Sequence, residues 1–224
     1  MQTVPLPRRL VAEFVGTAFL LIAVVGGGIA AQRLSPGDVG LQLFEAAVVT
    51  AFGLAAFIFM MAPISGAHFN PAVTLADVLL GSRARSEAAP YILAQVGGGI
   101  VGTILSNLMF DLPAVEISET TRDGAGQWLG EVIATIGLLL VIFLMVRTAT
   151  AALVAPAVGM YIGAAYFFTS STSFANPAVT IARVFSDTFA GIAPSSAPMF
   201  VIMQLIGTAL AVVLIRYLTV GEKA

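Results

Sequence analysis

Cysteine is absent, histidine and tryptophan occur once each, and only 10% of the 224 residues carry a charge. Each shortage closes off a class of function. Without cysteine there is no disulfide framework, thiolate metal site or cysteine nucleophile. The single histidine, His68, leaves little for metal or acid–base chemistry, and no nucleophile–base pair stands out. The chain therefore reads as no enzyme, with no catalytic residues, metal or cofactor. A net charge of −2 argues against nucleic acid as a partner. What is abundant is apolar: 58% of residues are hydrophobic and the mean hydropathy is +0.99. A soluble domain of this size cannot hide that much apolar surface, so membrane lipid is the expected solvent.

Two identical stretches organise the rest: Asn70-Pro71-Ala72-Val73-Thr74 and Asn176-Pro177-Ala178-Val179-Thr180. Asn is a favoured helix N-cap and Pro is tolerated at the first helical position, so each pair reads as a helix start. The apolar run after each is too short to span a bilayer. Two half-helices of roughly ten residues, at 1.5 Å per residue, together cover about the 30 Å hydrocarbon thickness. Entering from opposite sides, they bring both Asn side chains to the midplane. The cap uses the amide oxygen and leaves the NH2 to donate into the space between.

The remaining runs predict six spans: Leu10–Ala31, Leu41–Met61, Tyr91–Phe110, Trp128–Val146, Ala149–Phe168 and Met199–Leu218. The first exceeds the usual signal-peptide core and carries Glu13, so it reads as a retained helix. Pro63–Phe69 and Thr169–Ala175 are the approaches to the half-helices Asn70–Leu80 and Asn176–Ser186. Glycines 97, 98, 99 and 102 favour close helix contact in the third span. Pro156 is expected to kink the fifth.

The halves repeat. Glu13 matches Glu131, Gln95 with Gly102-Thr103 matches Gln204 with Gly207-Thr208, and the Asn-Pro-Ala motifs match by identity. One transmembrane domain over 1–224 is expected: repeat one at about 8–110, a polar loop at 111–127, and repeat two at about 128–219. Three spans per repeat make the second inverted, with the functional site where the broken helices meet. With both termini cytoplasmic, Arg8, Arg9, Arg83, Arg85, Arg147, Arg216 and Lys223 lie inside, against Arg33, Arg122 and Arg183 outside. That bias fits the positive-inside rule. The short tails fit a bacterial inner (plasma) membrane.

The paired motifs, with Ser65-Gly66-Ala67-His68-Phe69 before the first, resemble the aquaporin or major intrinsic protein family along the whole chain. The resemblance implies an all-α membrane protein: a right-handed bundle of six transmembrane helices and two re-entrant half-helices, assembled as a homotetramer with one pore per subunit. It also implies a passive pore for small neutral solutes. Aquaporins are themselves the standard example of half-helix dipoles and an arginine excluding protons and cations. Asn70 and Asn176 would donate to passing water and break the chain of hydrogen bonds that protons need.

Selectivity in the family lies at a second, outer constriction of four residues. Water-selective members resemble one another in having Phe, His, a small residue and Arg there. Carried over by spacing, the Arg position is Val179, the His position Ala164 and the loop position Ser173. Counting back from Asn70 puts the aromatic position at Thr50, whereas the local Ala51-Phe52-Gly53 pattern puts it at Phe52. Such a filter would be wide, less polar and without a fixed cation. In the family this is typical of channels for glycerol, urea or neutral metalloid hydroxides such as arsenous acid. Val in the Arg position resembles atypical bacterial members associated with arsenic resistance.

Other residues keep two readings each. Arg183, one turn beyond Val179, either restores positive charge at the outer mouth or simply complements the helix C-terminus. His68 either gates the pore with pH or satisfies loop carbonyls. Glu13 and Glu131 are buried acids, functional by default, but their repeat equivalence suggests they brace the loop N–H groups. The alternatives to a neutral-solute channel are a water-selective one, opposed by Val179 and Ala164, and a secondary transporter. The latter normally places ionisable groups at the breaks, and only His68 lies within five residues of either Asn.

Overall fold

The computed structural model describes residues 4–148 and 151–219. Among them five helices are long and apolar enough to cross a membrane. These are α1 (Leu6–Leu34), α2 (Val39–Ser65), α4 (Arg85–Met109), α5 (Ala125–Met145) and α8 (Ala197–Leu218). A sixth crossing, α6 (Val154–Phe168), has 15 residues and follows a short 3-10 turn at Ala151–Leu153. The two half-helices are α3 (Pro71–Leu80) and α7 (Pro177–Ala182), the latter extended by a 3-10 turn at Arg183–Phe185.

Several boundaries differ from the sequence reading. Pro156 does not kink the fifth span. It sits in the first turn of α6, where its missing N–H would have had no intrahelical partner. α2 runs through Pro63 to Ser65 and stops at Gly66, whose φ of 92° supplies the left-handed cap. α1 contains a π-helical turn at Ile22–Gly26, an inserted register shift that the hydropathy pattern does not signal. Ala149 and Lys223 lie outside the described residues.

Close crossings hold the repeats together. α1 lies against α4, α5 against α8, and α2 against α6. A Cβ added at Gly98 would lie 2.1 Å from the Phe14 carbonyl oxygen, and one at Gly102 would lie 2.2 Å from that of Ala18. In the second repeat, a Cβ at Gly207 would lie 2.8 Å from the Val132 oxygen. Without a hydrophobic drive between helices in lipid, such backbone approach supplies the packing energy. Each half-helix crosses to the other repeat, α3 packing on α8 and α7 on α4.

The loops sort into two ends. At one, Phe189 N–H donates to Gln32, and Arg33 donates to the Phe110 carbonyl. At the other, Arg9 and Arg83 meet Glu87, and Arg216 donates to the Leu79 carbonyl. The loop after α4 runs beside the segment after α7, with Ser118 N–H to Val184 O at 2.9 Å and Ala193 N–H to Thr120 O at 2.8 Å.

Candidate functional site

Both re-entrant approaches need left-handed residues to turn back into the bundle. Ala67 and Phe69 have φ of 50° and 49°, and Ser173 and Ala175 have 53° and 46°. These are the third and first residues before each Asn. Left-handed backbone costs roughly 1 kcal/mol per non-glycine residue, so something must over-determine it. The two buried glutamates do. Glu13 accepts from His68 N–H at 3.0 Å, Phe69 N–H at 2.8 Å and the Ser65 hydroxyl at 2.6 Å. Glu131 accepts from the N–H groups of Phe174 and Ala175, both at 2.9 Å. Gln95 and Gln204 complete the arrangement, each donating through Nε2 to a glutamate and to the hydroxyl of Thr74 or Thr180.

Pro71-Ala72 and Pro177-Ala178 open the half-helices, as their spacing suggested, with Asn70 and Asn176 as the caps. The Asn70 amide oxygen accepts from Ala72 N–H at 2.8 Å, and that of Asn176 accepts from Ala178 at 3.0 Å and Val179 at 3.2 Å. The amide nitrogens are not wholly free. Asn70 Nδ2 donates to the Ala175 carbonyl and Asn176 Nδ2 to the Phe69 carbonyl, each at 2.8 Å. This reciprocal pair ties the half-helices together across the midplane and leaves each NH2 one hydrogen for the lumen.

Three cavities follow one another along the bundle, successive ones sharing wall residues. The central cavity, of about 60 Å³, is bordered by both Asn residues. That is room for a few water molecules. Its wall mixes apolar side chains, Leu20, Leu54, Ile58 and Val158 among others, with the polar groups of Thr50, His68, Ser173 and the two Asn residues. The inner vestibule shares His68, Ile58 and Val158 with it. The outer vestibule, of about 200 Å³, shares Val24, Tyr166 and Arg183. Those three residues mark the outer junction.

Thr50, Ser173 and Val179 all border the central cavity. Phe52, the other candidate for the aromatic position, is 74% exposed on the outside of the bundle. Two residues along a helix lie about 200° apart, so with Thr50 inward Phe52 must point out. Ala164 is a correction. It stands on the outer surface of α6, and the face of that helix toward the lumen is Val158, Ile162 and Tyr166. The Tyr166 hydroxyl lies 3.0 Å from that of Thr50, level with the filter. Ala164 lies twelve residues before Asn176, whereas the lumen-facing Tyr166 lies ten before it. A tyrosine hydroxyl thus stands at the cavity wall where the sequence suggested an alanine.

Arg183 is 4% exposed. Its Nε donates to the Ala190 carbonyl, and its guanidinium carbon lies 3.5 Å from the Phe174 ring centroid. Val179 borders the central cavity without a charge, and an arginine one turn beyond borders both it and the outer vestibule. His68 finds neither loop carbonyls nor isolation. Its Nδ1 is 3.0 Å from the Thr74 hydroxyl and its Nε2 is 3.4 Å from Asp77 Oδ2. Asp77 also receives Arg83 Nε at 2.9 Å, and Glu87 joins Arg83 to Arg9. The inner mouth is thus rimmed by a paired charge network.

Sequence reasoning missed Val24, Tyr166 and Arg122 as lumen residues. Val24 depends on the π turn and Arg122 on the fold of a long loop. For Tyr166 a signal existed: 158, 162 and 166 recur every four residues along α6, as one helical face does.

A family model described as Major intrinsic protein matches residues 1–173. The chain is 48% identical over 218 residues to Aquaglyceroporin AqpS of Rhizobium meliloti (strain 1021), covering 97% of this chain and 93% of that protein. It is 36% identical over 115 residues to the Glycerol uptake facilitator protein of Escherichia coli (strain K12), 49% of this chain and 40% of that one. The X-ray structure of the aquaglyceroporin from Plasmodium falciparum shares the fold, with a TM-score of 0.73 over 96% of each chain at 23% identity. Cavities that share wall residues, the central one bordered by both half-helix caps, in a chain matched over most of its length, leave one conclusion: this protein belongs to the major intrinsic protein (aquaporin) family and is an integral membrane channel, not an enzyme.

Proposed function

We propose that the channel passes small uncharged solutes, among them glycerol, urea and neutral metalloid hydroxides such as arsenous acid, together with water. The amphipathic central wall carries this reading. A polyol or a hydroxide presents both oxygens and an apolar surface, and the wall offers amide and hydroxyl groups together with Leu20, Leu54 and Ile58. Glycerol and aquaglyceroporin function named for the relatives supports the same solute class.

The half-helix N-termini, each worth roughly half an elementary charge, and the remaining Asn hydrogens favour an oxygen acceptor at the midplane and oppose a cation. Thr50, Tyr166, Ser173 and Val179 form the filter, with Arg183 just outside it. The chain acts as one domain of two inverted repeats, in a homotetramer with one pore per subunit. It lies in a bacterial inner membrane with both termini cytoplasmic, an orientation supported by the arginine bias between its two ends. The narrow outer junction of Val24, Tyr166 and Arg183 favours a second reading, a water-selective channel.

Stopped-flow light scattering on proteoliposomes separates the two. On the first reading, wild type passes glycerol, urea and arsenous acid, and Val179→Arg loses these while keeping water. On the second, wild type passes water alone and Tyr166→Ala admits glycerol. A wild type that passes the larger solutes undiminished by Val179→Arg would remove position 179 from the filter.

A further inference from the structure

The outer vestibule holds two arginines and no acid. Arg122, from the loop after α4, and Arg183, after α7, both border it, and no Asp or Glu does. Both guanidiniums lie against the Phe174 ring, their central carbons 5.1 Å and 3.5 Å from its centroid. Their protein acceptors are three successive carbonyls: Phe189 and Gly191 for Arg122, Ala190 for Arg183. The terminal nitrogens of Arg183 donate to no protein acceptor among the described residues, although the side chain is nearly fully buried. Neither arginine forms an ion pair there.

Nearby acids are already engaged. Glu131 spends its oxygens on Phe174, Ala175 and Gln204. Asp187 borders a neighbouring surface pocket with Arg122 and accepts from Ser118 and Glu119. Burial lowers the Arg122 pKa from the usual guanidinium value, as expected of a cation with little compensation. Buried charge of one sign is costly unless paired, so the arrangement asks for an anion.

The shape of the space says which. A guanidinium fork matches the two oxygens of a carboxylate. Val39, Leu43 and Ala46 contribute hydrocarbon to the lining, and about 200 Å³ admits a short chain. We propose that the outer vestibule binds a short-chain monocarboxylate, its carboxylate between Arg122 and Arg183 and its alkyl tail against Val39, Leu43 and Ala46. Because Arg183 and Tyr166 also border the central cavity, the bound anion stands in the conduction path and occludes it.

Butyrate is the probe, and butyramide, its uncharged isostere, is the control. Calorimetric titration of the full chain in a non-ionic detergent should show saturable butyrate binding and butyramide binding weaker by about tenfold or more, the loss expected of a charge-assisted contact. Arg122→Gln should weaken butyrate similarly, and Arg122→Lys should recover part of it, with thermal melts confirming that both variants fold. In proteoliposomes with butyrate equilibrated on both sides, solute flux should fall in wild type and be spared in Arg122→Gln. Equal binding of butyrate and butyramide, or butyrate binding indifferent to Arg122→Gln, overturns the site. Binding without loss of flux overturns the occlusion. The titration stands independently of conduction, so failure of the proposed channel function is a separate result.

Discussion

Glu131→Ala is expected to reduce water and solute permeability to the level of bare lipid. The substitution strips the N–H groups of Phe174 and Ala175 of their acceptor. Each buried unsatisfied group costs about 1–3 kcal/mol. Ala175 also loses the contact that holds it in left-handed conformation. The two N–H groups together account for about 2–6 kcal/mol of local stability, enough to release the loop that carries the second Asn to the midplane. Ala175 is also the acceptor for Asn70, so the reciprocal bond between half-helices is lost with it. Glu131→Gln keeps one acceptor and should retain partial conduction. Stopped-flow rates and melting temperatures of both variants decide this. Full conduction by Glu131→Ala would mean the loop is positioned by packing on α8 alone.

Gly102→Val is expected to prevent assembly of the bundle. A Cβ there meets the Ala18 carbonyl oxygen at 2.2 Å, and backbone cannot swing aside as a side chain can. α1 and α4 would have to separate by more than an ångström along their closest crossing, and the energy of that contact would be forfeited. The expected result is aggregated or absent protein on size exclusion. Gly97→Ala is the contrast: its Cβ would meet the Phe14 ring at an ordinary 3.5 Å, so that variant should be monodisperse with a melting temperature near wild type. Equal tolerance at both positions would show that the helices cross less closely than described here.

How much of this was legible beforehand varies by residue. Asn-Pro at a helix start is a local matter of cap and first turn, and both half-helices begin where the motif says. The bracing role of Glu13 and Glu131 was readable because a buried acid repeated in both halves needs donors, and an approach loop has spare N–H groups. The filter was legible only in part. Thr50, Ser173 and Val179 reach the central cavity, whereas Ala164 faces outward and Tyr166 takes the lumen face. Counting residues back from a motif does not fix which side of a preceding helix meets the lumen, since rotation about that helix is set by packing.

The amino-acid order by itself determined the solvent, the six crossings, the inverted repeat and the two capped breaks, because each rests on hydropathy or on neighbours within a turn or two. Only the tertiary structure decided which face of each helix meets the lumen, since rotation about a helix axis is set by packing against other helices. It alone placed Val24 through a π turn, set α1 against Gly98 and Gly102, and brought Arg122 and Arg183 onto the same Phe174 ring. Those contacts join residues far apart in the chain, and their energies depend on distances that no local pattern encodes.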